Sequence, residues 1–386
     1  VYDGAIHLDC IKTRLMQKTN SQESNQALST AEMVEHAQSL LADGMVDAAD
    51  RLFRTVLEKD KTSAAALRGR AAVAETRGHN KRAARFSQKA NEQEAEDHCS
   101  AAEKASDDAL YSKTIECYEK ALAVVTDNLD AIWGIAESYA ALDERDEAAS
   151  WYQRYLDIEP DEPEALHMLS AMGVAAAPER ASDGYVATLF DRFAPDFDDQ
   201  LTGELEYQVP TILAETAKDY CSSANGDLDI LDLGCGTGLC GEAVKDLAKR
   251  LDGVDLSGEM LKLARKRRVY KTLTKSEVVA YMDKTRRSYD LVLGADVFVY
   301  FGLLDELFVS VASILKPGGL VIFSLEAQEG AGFHLTASGR YAHGRAYVRG
   351  CVQAAGLRER SVNNEKLRIE YGEPVGGDIW VLQNPD

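Results

Sequence analysis

The chain has 386 residues, 45% of them hydrophobic and 28% charged, a globular composition long enough for two domains or more. No window approaches 18 uncharged apolar residues, so nothing in it reads as a membrane-spanning helix. The formal net charge of −21 works against binding a polyanion such as RNA or DNA and favours a small molecule or a protein as partner.

Residues 1–29 are rich in Ser, Thr, Asn and Gln and read as a disordered polar leader. Lys12, Arg14 and Lys18, without an acid among them, keep an organelle matrix open beside the cytoplasm as the compartment. The seven cysteines (Cys10, Cys99, Cys117, Cys221, Cys235, Cys240 and Cys351) are odd in number and form no CxxC pair. A reducing compartment and no metal site follow as expectations.

From Thr30 the pattern is helical and repeats. Ala49 and Ala83 are 34 residues apart, as are Thr114 and Ala148, and Phe53, Tyr118 and Tyr152 recur at one position of the unit. The interval from Ala83 to Thr114 is only 31, which makes the third unit irregular. The last unit carries Ile132, Ile135, Ala136, Tyr139, Ala148, Tyr152 and Pro160 where such a repeat wants apolar, small, aromatic and helix-ending residues. This resembles three to four tetratricopeptide (TPR) repeats, the alternative being an unrelated helical bundle. A capping helix is expected over Pro163 to Met172, which closes the repeat block at 30–174, and 175–184 reads as a linker.

The remainder, 185–386, opens with aromatics at Tyr185, Phe190, Phe193, Phe197 and Tyr207. A short apolar run, Ile230 to Leu233, then ends in Gly234, Gly236 and Gly238. Such a run is a buried parallel strand, and glycines after it let the backbone turn sharply and approach a ligand. Leu239, Ala243, Val244, Leu247 and Leu251 fall at helical spacing, predicting a helix whose free N–H groups face the turn. A second strand stops at Asp255, placed to accept hydrogen bonds from a ribose. A basic run from Lys262 to Lys275 reads as a solvated helix face. A fourth strand over Tyr289 to Leu293 brings Asp296, Val297 and Tyr300 toward the glycine turn. Lys316 to Gly319 begins a fifth, 327–345 reads as a loop roofing the site, and two closing strands lie near Leu357–Tyr371 and Asp378–Leu382.

These motifs resemble class I S-adenosylmethionine-dependent methyltransferases, whose glycine turn is GxGxG; the dinucleotide fingerprint would need glycine where Leu239 stands. The resemblance implies an all-α TPR-like helical repeat domain followed by an α/β Rossmann-like domain of seven strands, the last two an antiparallel hairpin. It implies S-adenosyl-L-methionine as cofactor. Gly234, Cys235, Gly236 and Gly238 would then lie against the methionine portion, Asp232 on the ammonium side, Asp255 on the ribose, and Leu256 or Met260 on the adenine face. Glu277 and Val278 would read the adenine amino group, with Asp296 facing the same site. Tyr185, Phe193 and Phe197 are lid candidates. An oxygen or nitrogen acceptor must lose a proton, so His343 and His334 are candidate bases, with Tyr300, Tyr341 and Arg340 as positioning groups. The repeats would recruit a protein partner. A scaffold with a silent methyltransferase-like domain is the alternative, and a nicotinamide dehydrogenase a distant third.

Overall fold

The computed structural model describes residues 28–195, 197–199, 207–221, 226–370 and 373–385, so all but the last two positions of the expected leader lie outside the described residues. The chain divides into two compact units at 97/98.

The first unit holds α1 (Thr30–Ala42), α2 (Val46–Lys59), α3 (Ala64–Thr76) and the beginning of α4 (Asn80–Asp107). Helix α1 starts where Ser29 and Glu32 satisfy each other's backbone N–H groups in a capping box. Its core is small against large: Ala37, Ala49 and Ala66 are fully buried beside Phe53. A Cβ on Gly69 would lie 2.2 Å from Cζ of Phe53, so the ring needs bare backbone opposite it.

Helix α4 departs from the expected helix pairs. It runs 28 residues without a Gly or Pro, joining what would be two helices, and the unit boundary falls inside it. Nothing in that stretch can end a helix, and losing the loop accounts for the short interval between Ala83 and Thr114.

In the second unit α5 (Tyr111–Val124), α6 (Leu129–Ala141), α7 (Arg145–Leu156) and α8 (Pro163–Ala171) continue the pairing. A Cβ on Gly134 would likewise lie 2.2 Å from Cε2 of Tyr118, as one on Gly69 would against Phe53. Left-handed turn residues also recur: Gly44 and Gly78 in the first turns, Ala109 and Asp143 in the later ones, each pair 34 apart. Pro163 opens α8 at its first turn with Glu162 as cap.

Next come α9 (Asp183–Phe193), a helical turn at Phe197–Asp199, and α10 (Val209–Tyr220). The sheet follows, with β1 (Leu228–Leu233), β2 (Ala248–Asp255), β3 (Thr272–Lys275), β4 (Tyr289–Gly294) and β5 (Leu315–Gln328) in the spatial order β3-β2-β1-β4-β5, all parallel. Between them run α11 (Leu239–Val244), α12 (Gly258–Arg267), α13 (Val278–Lys284) and α14 (Asp305–Ile314). Side chains alternate between two cores: Leu231, Leu233, Val292 and Phe323 pack on one face, Ile230, Leu291, Leu293 and Ile322 on the other. The expected helix through Leu251 is shorter than its periodicity implies. It stops at Val244, a 3₁₀ turn follows, and Leu251 enters β2, where pairing with Ile230 of β1 claims it.

Nine strands rather than seven are present among the described residues. Beyond β5 lie β6 (Phe333–Leu335), β7 (Tyr341–Gly344), α15 (Arg345–Ala354), β8 (Arg358–Glu370) and β9 (Glu373–Gln383). β9 runs antiparallel along Leu320–Glu326 of β5 and carries β8 on its other side, the hairpin expected from the sequence. The remaining end of β5, Glu326–Gln328, pairs with β7, and β7 with β6. The segment read as a roofing loop is therefore largely a hairpin. Its Leu335 and Tyr341 share one apolar cluster with Ala136, Ala140, Tyr152 and Met172 of the α6–α8 segment. That shared burial holds the hairpin in place. Among the described residues no helix is long and apolar enough to cross a membrane.

Candidate active site

The three glycines after β1 all take left-handed backbone, φ 58° at Gly234, 52° at Gly236 and 94° at Gly238. At Gly234 the constraint is doubled, because a Cβ there would lie 2.2 Å from Cγ2 of Val297. The turn is tied to the tip of β2: the Gly236 N–H donates to Oδ2 of Asp255 at 2.8 Å, and the Ser257 N–H to Oδ1 at 2.7 Å. A carboxylate has about four lone-pair sites, so Asp255 keeps accepting capacity for a ligand hydroxyl beyond its backbone amides. Burial pushes the Asp255 carboxyl up, against the pull of these amides.

Behind the turn, Asp232 is 1% exposed and accepts from the Tyr270 phenol at 2.6 Å. Burial raises its carboxyl to about 7, the Tyr270 bond opposes the shift, and the charge of Asp255 adds to it. Cys235 and Cys240 are also buried, and their thiols are pushed well up, so both remain neutral.

Two acids strap α9 and the helical turn after it over this end. Asp191 accepts from the Ser257 hydroxyl and, at 3.2 Å, from the Glu259 N–H at the start of α12. Asp198 accepts from the Thr237 hydroxyl and from Arg267, whose Nε–H also donates to the Thr237 carbonyl at 2.7 Å. Phe190 and Phe197, 6.0 Å apart edge to face, close the apolar side.

Together these elements enclose a cavity of about 1140 Å³, counting the space at its mouth. Gly234, Cys235, Gly236, Asp255, Leu256, Glu277, Val278 and Asp296 line it, as do Tyr300, Phe190, Phe197, Tyr207, Arg340 and Arg368. The Glu277 carboxylate caps α13 by accepting from the Val279 and Ala280 N–H groups at 3.0 and 2.8 Å, so it already serves its own helix. Gly238, Asp232 and Met260 lie behind the wall; Met260 is fully buried on the inner face of α12.

Of the five residues read from sequence as bases or positioning groups, Tyr300 and Arg340 line the cavity and the other three are elsewhere. His343 is 1% exposed inside β7, donates through Nε2 to the Gly302 carbonyl at 3.2 Å, and stacks on Tyr347. Tyr341 is fully buried and donates to the Pro178 carbonyl at 2.7 Å. His334 is exposed, with Nδ1 2.8 Å from Oε1 of Gln328. Of the lid candidates, Phe197 lines the cavity, Tyr185 is buried 4.2 Å from the His167 ring, and Phe193 is 40% exposed. Sequence reasoning passes over Arg368 and Tyr270 and gives Tyr207 no role. No periodicity marks them, because sheet pairing and strand returns bring them in.

Burial drops the His343 ring to about 4, so it is neutral at pH 7 and too weakly basic to hold a proton taken from an acceptor. A depressed histidine contributes stability that is present above about pH 6.5 and lost as pH falls through about 4. His343→Gln is expected to remove about 3 kcal/mol of the acid-induced loss between pH 7 and 4, read from urea midpoints. Turnover per folded molecule should change less than about threefold; loss of turnover in a stably folded variant would restore His343 to the chemistry.

A parallel sheet of this order, with its cavity at the carboxyl ends of β1, β2 and β4, is the architecture of nucleotide-binding α/β proteins. Within it, residues 230–319 match the family model described as the methyltransferase domain. The chain is 29% identical over 99 residues to the ubiquinone biosynthesis O-methyltransferase of Shewanella halifaxensis (strain HAW-EB4), covering 25% of this chain and 42% of that protein. To the malonyl-(acyl-carrier protein) O-methyltransferase of Halalkalibacterium halodurans it is 34% identical over 102 residues, covering 25% and 38%. It thus spans less than half the length of these curated relatives. Among solved structures, the N-methyltransferase NodS from Bradyrhizobium japonicum WM9, in complex with S-adenosyl-L-homocysteine, aligns over 52% of this chain and 99% of its own at 17% identity and a TM-score of 0.42.

Proposed function

We propose that this chain is an S-adenosylmethionine-dependent methyltransferase acting on an oxygen or nitrogen of a small-molecule or protein acceptor, with α1–α8 as a TPR-like array that recruits a protein partner. The observation that carries the reading is the bond from the Gly236 amide to the Asp255 carboxylate, made within the segment that matches the methyltransferase-domain family. It fits a nucleoside cofactor because the glycine turn leaves its Cβ side open at Gly236, where the nearest atom to an added Cβ is 3.9 Å away on Phe197. Asp255 would hold the ribose, Leu256 and Val278 the base, and the turn from Gly234 to Gly236 the amino-acid portion. S-adenosylmethionine supplies an already activated methyl group, so the residues here have only to orient the acceptor and exclude water. Phe190 and Phe197 do the second, under the straps of Asp191 and Asp198.

The recurrence of left-handed turns and of Gly69 and Gly134 under aromatic rings supports the repeat reading of the helices. A reducing compartment, the cytoplasm or an organelle matrix, suits the free cysteines among the described residues. Calorimetry of the full chain with S-adenosylhomocysteine tests the cofactor reading, with a low-micromolar Kd expected, about −8 kcal/mol. No heat at millimolar ligand would leave the helical array as a scaffold beside a silent domain. A labelled-methyl assay on proteins captured by the full chain then tests the recruitment.

A further inference from the structure

Resting on that cofactor reading, we propose that the cavity wall made by Arg340, Arg368, Tyr207 and Tyr300 is an acceptor subsite that takes the carboxylate of an otherwise apolar molecule. These residues come from four places in the chain: the turn before β7, the strand β8, the stretch before α10, and the stretch after β4. What they share is that each offers N–H or O–H donors, and the guanidinium groups never deprotonate.

Arg368 is 2% exposed and fixed from behind, with Nη2 on Glu326 and Nη1 3.5 Å from Oδ2 of Asp296. Asp296 is itself held by the Ser324 hydroxyl at 2.6 Å. A guanidinium locked this way is set in orientation before a ligand arrives. Arg340 hydrogen-bonds Tyr300. Its backbone is anchored too, since the adjacent Gly339 carbonyl accepts from His167 at 2.8 Å. Tyr207 is held near Arg368 because the neighbouring Gln208 N–H donates to the Leu367 carbonyl at 3.3 Å. Burial keeps both phenols protonated at neutral pH, so they remain donors.

Asp296 also lines this wall, its carboxylate engaged by Arg368 and the Ser324 hydroxyl, and Pro210, Val297 and Phe301 ask for an apolar body behind the charged head. No histidine lines the cavity among the described residues, and an acceptor group that arrives ionised needs donors in place of a base. A bidentate guanidinium matches two carboxylate oxygens in a way that an amide or an alcohol cannot.

The test uses the full chain with octanoate and octanamide as probes, by calorimetry in the presence of saturating S-adenosylhomocysteine. Octanoate should bind at least tenfold more tightly than octanamide, and Arg340→Gln should erase that difference while leaving S-adenosylhomocysteine affinity unchanged. Arg340→Lys should recover part of it. Should Arg340→Gln fail to fold, Tyr300→Phe and Tyr207→Phe each remove one donor and are expected to weaken octanoate threefold to tenfold. Equal affinity for the two probes, or an octanoate affinity indifferent to these substitutions, overturns the subsite. A chain that binds S-adenosylhomocysteine but does not prefer octanoate refutes the subsite alone. One that prefers octanoate yet never binds S-adenosylhomocysteine refutes the cofactor reading and leaves the subsite standing.

Discussion

Asp255→Ala is expected to weaken S-adenosylhomocysteine binding by about 100-fold, about 2.7 kcal/mol, and to lower stability by about 3 kcal/mol. Two effects act together. The carboxylate is the acceptor for the amides of Gly236 and Ser257, and its removal leaves both donors without that partner, the Ser257 amide in a fully buried place and the Gly236 amide at the cavity wall. Hydrogen bonds to a charged group contribute about 1.5–3 kcal/mol each. The turn, its three glycines at positive φ, stays tied to β2 through the Cys235 N–H donating to the Val254 carbonyl at 2.9 Å, but loses the bond that fixes the Gly236 amide in the shape a ligand needs. Asp255→Asn retains one accepting oxygen and should fall between, near tenfold. Calorimetry alongside a denaturation curve separates the parts: an alanine variant that binds as tightly as the parent while folded would mean the ribose is held elsewhere.

Asp232→Asn is expected to change the pH dependence of folding more than the binding of any ligand. The carboxyl titrates at about 7 in the folded chain, against 3.8 for an unperturbed aspartate, so it holds its proton more tightly when folded. Its contribution is therefore fully present below about pH 4 and is lost as pH rises through about 7. Over the shift of about three units this is at most about 4 kcal/mol. His343 runs the other way over part of that range, so the wild-type curve is the difference of two slopes and only the variants resolve them. The amide oxygen of the substituted side chain would still accept from the Tyr270 phenol. The stability of Asp232→Asn relative to the parent should thus rise by about 3 kcal/mol between pH 5 and pH 8. Parallel curves for the two proteins would show that Asp232 is ionised throughout.

Both predictions concern residues visible in the sequence, and the reason is local. A strand of six residues, a glycine turn and an acid at the next strand tip are encoded within thirty positions, where period and turn chemistry act directly. The same holds for the helix starts at Thr30 and Pro163, each marked by its cap. The interior of the helical array is readable as a recurrence but not as boundaries. A missing breaker between Asn80 and Asp107 turns two expected helices into one.

Catalytic candidates are read less well because residue chemistry stands in where position is needed. His343 and Tyr341 lie along a strand whose surroundings pack on α6–α8 and on Tyr347, and that packing buries them. The same strand pairing leaves Arg340, one residue before β7, on the cavity. A one-residue change of register would exchange these fates.

By itself, then, the order of amino acids determined where the backbone must turn, which strand faces are apolar and where an acid meets a glycine loop, since all of these act over a few residues. Only the tertiary structure decided which side chains share the cavity. Arg368 reaches Asp296 across 72 positions and His167 reaches Gly339 across 172, and no short-range pattern carries such meetings. The first exists because β8 pairs with β9, which runs along β5; the second because the end of β5 had an open edge, a hairpin paired with it, and the helices beside it buried that hairpin's apolar face.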